Sequence, residues 1–323
     1  MTEMNYAEAL VDGLYISMDS DPRVSLIGRY VLGLSPLRFL MERIRDAFED
    51  RILDPPVSEA GIASLGVGAA MAGARPFVDI STASFVFEAW PQVVNEAANA
   101  HHMSGGQFTV PVVFHMLHGL RGGGSAQHSH SPQAMLWNCP GLEIVLPSSP
   151  RDVKGLIRTA VKSNNPTIFI DHSKLFTLKE DVPEGDYEIP FGQAEIKREG
   201  GDVTVVATSL LVQKALEAAN ALSQEGIEVE VVDPRTIVPL DKEAILRSVA
   251  KTGRLVVVDE CNLSCGVASE IAAIVAEHAF GSLKAPILRV ARPDVPVPFS
   301  APLEEYITPT PEKITAAVRR VLG

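Results

Sequence analysis

A chain of 323 residues, 46% hydrophobic and 21% charged, carries enough apolar material for about two packed domains. Its formal charge of −12 argues against nucleic acid or an anionic membrane as partner, and no apolar run reaches the roughly 18 residues of a membrane span. The start, MTEMNYAEALVDGL, has neither signal-peptide nor transit-peptide character. Three cysteines (Cys139, Cys261, Cys265) are too few for a disulfide framework, so a reducing, cytoplasmic setting is expected.

Tyr6–Ser20 has apolar residues at helical spacing, Val24–Ile27 reads as a short strand, and Leu37–Phe48 as an amphipathic helix. Arg51–Leu53 can end a strand, and Asp54-Pro55-Pro56 forbids a helix there. Ser58 is a helix N-cap, with Glu59 in the first turn of a helix running to Gly73. Nearly every residue of that helix is small, which predicts a tightly buried element approached closely by another backbone. On this pattern alone Glu59 is an acid favoured by the helix dipole.

A strand at Phe77–Ile80 and a helix over Phe85–His101 follow, then a buried strand at Val110–Phe114. Gly122–Gly124 opens a loop through Ser131, before a short helix at Pro132–Trp137. LEIVLPS, Arg151–Ser163 and PTIFID continue as strand, helix and strand. Leu175–Arg198 breaks the rhythm, being polar with Pro183, Gly185 and Pro190. Beyond it the alternation restarts with DVTVVATS and continues through IEVEVVDP, RLVVVDE and PILRVARP to a closing helix near Glu312–Leu322. Alternating strands and helices without hairpin signals predict an α/β protein of two doubly wound domains, each with a mostly parallel sheet flanked by helices. Residues 1–180 form the first, 181–198 the connection and 199–323 the second.

Some signals carry little. Gly66-x-Gly68 with Gly73 has the wrong spacing for a dinucleotide turn, and no Walker-type loop exists. Six histidines fall between His101 and His130, but no third ligand at recognised spacing completes a zinc site. No metal ligand is assigned to this chain. Partly exposed or hydrogen-bonded histidines fit the cluster better.

VSEAGIASLGVGAAMAGARPFVDIS, QVVNEAANAHHMSGGQFTVPVV, GGGSAQHSHSPQAMLWNCPGLEIVLPSSPRDVKGLIRTAV and NNPTIFID, in this order, resemble the β subunits of thiamine diphosphate-dependent 2-oxo acid dehydrogenases. That group includes the pyruvate, branched-chain and acetoin enzymes. VVDPRTIVPLD, VVVDE and GVASEIAA resemble the C-terminal domain of the wider transketolase-like family, and the likeness runs from about Tyr6 to Leu322. It implies a pyrimidine-binding domain followed by a transketolase C-terminal domain. By the same likeness Glu59 matches the glutamate that hydrogen-bonds the cofactor's aminopyrimidine, and burial there would raise its pKa. Phe85 matches the aromatic that stacks on the pyrimidine, although the residue also suits a core position. His128 matches the first histidine of the family's HSQS segment and would serve proton or acyl transfer on the substrate side.

The chain departs from the family at three places. Gly28-Arg29-Tyr30 replaces GED, His130 replaces the glutamine of HSQS, and HMLHGLRGGG replaces R-x-P-x-GGG, removing an arginine. The pyrimidine side is kept while the substrate side, with His128 and His130, is altered. No GDG occurs in the chain. The resemblance therefore implies that Mg²⁺ and the diphosphate are held mainly by a GDG-bearing α subunit in an α₂β₂ heterotetramer. The implied activity is an oxidoreductase that cleaves a 2-oxo acid or acetoin and transfers the acyl unit to lipoamide on a lipoyl acyltransferase. The alternative is a carboligating, acyloin-forming enzyme or a split transketolase without lipoamide.

Overall fold

The computed structural model describes residues 1–28 and 30–323, so the departure at Arg29 lies outside the described residues. The chain opens with strand β1 (Thr2–Asn5) and helix α1 (Tyr6–Ser20). Asn5 and Glu8 form a reciprocal capping box at the junction, which satisfies two backbone N–H groups that a helix start leaves open. Then come β2 (Val24–Ile27), a 3₁₀ turn at Pro36–Met41, α2 (Glu42–Phe48), β3 (Ile52–Leu53), α3 (Glu59–Met71) and β4 (Arg75–Thr82). After α4 (Ala100–Met103) the order is β5 (Val113–Leu117), α5 (Gln133–Trp137), β6 (Glu143–Val145), α6 (Pro150–Lys162), β7 (Thr167–Asp171) and β8 (Lys179–Val182).

Two compact units divide the chain: residues 1–119 with 136–191, and residues 120–135 with 192–323. In the first, β6-β7-β5-β4-β2-β3 lie side by side, every neighbouring pair parallel. The strands β2, β5 and β7 are almost wholly buried and mostly apolar, as strands covered on both faces are. A separate antiparallel pair joins β1 to β8.

The second unit runs β9 (Glu195–Arg198), β10 (Val203–Ala207), α7 (Leu210–Ser223), β11 (Val229–Asp233), β12 (Thr236–Val238), α8 (Lys242–Thr252) and β13 (Leu255–Asn262). It ends with α9 (Val267–His278), β14 (Leu288–Arg292), α10 (Ala301–Ile307) and α11 (Pro311–Leu322). Its five-stranded sheet has the order β14-β13-β10-β11-β9, with only β9 antiparallel. Helices α7 and α11 close one face over Val203, Val205, Val231, Val256 and Val258.

Several elements differ from the sequence reading. The helix expected over Leu37–Phe48 is helical only from Glu42, after the 3₁₀ turn that Pro36 starts. The helix expected over Phe85–His101 is a 3₁₀ turn (Ala83–Phe87), a π-helical stretch (Pro91–Ala97) and the single turn α4. Pro91 has no N–H to donate, and Ala98 N instead reaches back five residues to Val93 O, the π pattern. The strand expected at Val110–Phe114 is displaced to Val113–Leu117, because Pro111 cannot join a ladder. Within the stretch read as a connection, Glu195–Arg198 forms an edge strand.

Candidate active site

Helix α3 starts where the chain leaves β3 and runs back to begin β4, so Glu59 stands at the carboxyl edge of the sheet. Phe85, three residues beyond β4, stands at the same edge on its 3₁₀ turn. The chain crosses over β2 between these two strands, which is the kind of reversal where open α/β sheets hold ligands. Ser58 caps α3 by accepting from Gly61 N at 3.3 Å. Glu59 and Phe85 are both half-buried, and among the described residues the Glu59 carboxyl has no side-chain hydrogen bond or ion pair. An acid at a helix N-terminus with its hydrogen-bonding capacity left open suits a ligand that offers a donor. Beside β2 and β3 lies a cavity of about 720 Å³, lined by Leu26, Tyr30, Leu34, Phe39, Ile52 and Asp54 among others.

The small-residue helix is not enclosed on all sides as expected. Ile62, Ala63, Gly66, Val67 and Ala70 are buried against the sheet, whereas Gly61, Ser64, Leu65, Gly68 and Met71 are exposed. Only the inner face meets the sheet. There Gly66 is required, since a Cβ would stand 2.4 Å from Val78 Cγ2.

His128 and His130 belong to the second unit, in the segment Leu120–Met135. His128 ends a 3₁₀ turn (Ala126–His128) and both imidazoles are exposed. Partial burial, and then the charge of Arg292, lower the pKa of His130 from the ordinary histidine value. The backbone around them is fixed. Arg121 Nη2 donates to His128 O at 2.9 Å, and Arg292 Nη1 donates to Ser129 O at 3.0 Å. Cys261 Sγ donates to Ser131 O at 3.2 Å; burial, and then Asp259, push that thiol well above its ordinary pKa and keep it a donor.

Three other histidines of the cluster, His101, His115 and His118, make contacts within the fold. His101 Nδ1 lies 2.7 Å from Phe108 O, and His118 meets the His172 ring edge-on at 5.2 Å. His115 is wholly buried in β5. Its Nε2 is 2.9 Å from Asp171 Oδ2, its Nδ1 is 3.3 Å from Asp79 Oδ1, and Tyr6 donates its hydroxyl proton to Asp171. Burial alone would lower its pKa, but the hydrogen bonds and charges of Asp171 and Asp79 overcome that and push it up to about 9. The sequence signal for this group was a polar residue in the apolar run VVFHML, which implies a buried partner without naming it. Among the described residues no three His, Cys, Asp or Glu side chains converge as a metal site.

Residues 2–179 match the transketolase pyrimidine-binding domain, and residues 192–314 match the transketolase C-terminal domain. The fold is that of the transketolase class. Over 333 residues the chain is 39% identical to the acetoin:2,6-dichlorophenolindophenol oxidoreductase subunit beta of Bacillus subtilis (strain 168), covering 99% of this chain and 97% of that one. It is 42% identical over 320 residues to the pyruvate dehydrogenase E1 component subunit beta of Rickettsia felis, covering 99% and 98%. A solved split gene transketolase, an inactive beta4 tetramer, shares the fold at a TM-score of 0.80 with 24% identity, covering 98% of this chain and 97% of that one. The chain belongs to the family of β subunits of thiamine diphosphate-dependent 2-oxo acid and acetoin dehydrogenases.

Proposed function

We propose that this chain is the cytoplasmic β subunit of a heterotetrameric α₂β₂ dehydrogenase that cleaves a 2-oxo acid or acetoin and passes the acyl unit to the lipoyl group of an acyltransferase. Residues 1–180 act as its pyrimidine-binding domain, 181–198 as the connection and 199–323 as the C-terminal domain. A separate α subunit, bearing the GDG that this chain lacks, holds Mg²⁺ and the diphosphate. The observation that carries this reading is the Glu59 carboxyl, set at the helix start on the carboxyl edge with no side-chain partner among the described residues.

These residues fit the pyrimidine half of the cofactor. Bound thiamine diphosphate supplies a nucleophilic carbon and an electron sink for breaking the bond beside the substrate carbonyl. Glu59 would hold the pyrimidine ring nitrogen through a charge-assisted hydrogen bond and share a proton with it. Phe85 offers the pyrimidine an aromatic face. His128, exposed on a hydrogen-bonded backbone, moves a proton on the substrate side, and His130 lines that side with it.

Glu59→Gln keeps the size of the side chain but cannot share that proton. With folding and subunit assembly intact, turnover of the assembled enzyme is expected to fall at least about a hundredfold, about 3 kcal/mol of transition-state stabilisation. Wild-type turnover in an assembled Glu59→Gln enzyme would return Glu59 to the ordinary acids of helix starts.

A further inference from the structure

The His128 segment is built to be held. At its head Leu120 N donates to Glu260 Oε1 at 2.6 Å, and the Leu120 side chain is buried with Val297 and Ile307. Gly122 and Gly123 follow with φ of 85° and 72°, a left-handed pair that only glycine adopts readily. Their N–H groups both donate to Glu304, to Oε1 at 2.8 Å and to Oε2 at 3.1 Å. Glu304 is itself buried, in α10, with 5% of its surface exposed. A Cβ at Gly124 would stand 2.5 Å from Ser129 Oγ and 3.3 Å from His128 O, so a side chain there would have to displace Ser129. Ser125 is bent to φ 52°, a conformation that a non-glycine residue holds only under constraint from its surroundings.

We propose that Glu304, together with Arg292 at Ser129 O, is a positioning residue that holds the His128 loop in its working conformation. Neither side chain is placed at the reacting atoms. Glu304 grips the glycines before the strained Ser125, and Arg292 grips the carbonyl just after His128, so the backbone is fixed on both sides while the imidazole stays exposed. A reacting group on a loop needs such a frame, because a misplacement near 1 Å costs about a hundredfold in rate. This inference rests on the role of His128 given above.

The test uses the full chain assembled with its partner subunit, with pyruvate and acetoin as substrates and 2,6-dichlorophenolindophenol as acceptor. Glu304→Ala leaves two glycine N–H groups without their acceptor; Glu304→Gln keeps one acceptor oxygen and is the milder variant should Glu304→Ala not fold. Amide exchange at Gly122 and Gly123 is expected to accelerate at least about tenfold in either variant. Turnover should fall about ten- to a hundredfold with KM nearly unchanged. In a His128→Ala background the same Glu304 substitution should lower turnover by less than about twofold, since it acts through His128. Unchanged exchange, or losses that multiply in the double variant, overturns the proposal. A silent His128→Ala overturns the role of His128 and this inference with it. A large His128→Ala effect beside a silent Glu304 variant overturns this inference alone.

Discussion

His115 shows how one residue can tie stability to pH. It is an imidazolium between two buried carboxylates, Asp79 on β4 and Asp171 on β7, the latter also bonded by Tyr6 of α1. Its pKa in the fold, about 9, lies above the ordinary histidine value of 6.5. A raised pKa means that the folded state binds the proton more tightly than the unfolded chain does. Its stabilisation is therefore complete below about pH 6.5 and is lost as pH rises through about 9. The shift corresponds to about 3 kcal/mol. His115→Gln leaves two acids facing each other without a cation, and it is expected to destabilise the protein by about 3–5 kcal/mol at pH 6. The gap between the two urea midpoints should narrow toward pH 9, and a gap constant across that window would show that His115 is not charged in the fold. Glu59 and His128 could be nominated as candidates because each lies in a local motif. Asp79, Asp171, Glu260, Arg292 and Glu304 could not, since what they do depends on pairings across 36 to 182 residues of chain.

Helix α3 separates the two uses of a glycine in a helix. Gly66 faces the sheet, where an added Cβ would stand 2.4 Å from the stiff, β-branched Val78, whereas a Cβ at exposed Gly68 would meet nothing within 4 Å. Gly66→Ala gains about 1 kcal/mol of helix propensity but must push β4 away, and overpacking of this kind costs about 1–3 kcal/mol, so net destabilisation is expected. Gly68→Ala has only the gain and should stabilise the isolated chain by up to about 1 kcal/mol. Thermal denaturation of the two variants ranks them, and the opposite order would mean that α3 does not pack on β4 as described. Most elements could be read from period and run length, because buried parallel strands are continuous apolar runs bounded by turn residues. The failures cluster where proline decides the backbone, at Pro36, Pro91 and Pro111, and where an edge strand such as β9 is half polar. The enclosure of α3 was misread for another reason: small residues signal close approach without saying whether the approaching surface belongs to the same chain.

For the whole molecule that missing surface is the central question. Leu53, Val57, Leu65 and Met71 are exposed apolar side chains on the segments flanking Glu59, and a monomer gains nothing by leaving them wet. The chain has no GDG and a formal charge of −12, which repels a diphosphate anion unless a metal-bearing partner receives it. An obligate interface, commonly more than about 2,000 Å² in total, would cover the apolar residues and complete the cofactor site together. The purified chain is therefore expected to bind thiamine diphosphate weakly or not at all and to show no decarboxylation. Addition of the GDG-bearing subunit should restore both, with cofactor affinity and activity rising together as the subunits are titrated. Because binding to the assembled state alone stabilises it by mass action, thiamine diphosphate should also raise the melting temperature of the mixture and leave that of the isolated chain unchanged. Calorimetry that finds tight, Mg²⁺-dependent binding of thiamine diphosphate to this chain by itself would rule out a site divided between two subunits.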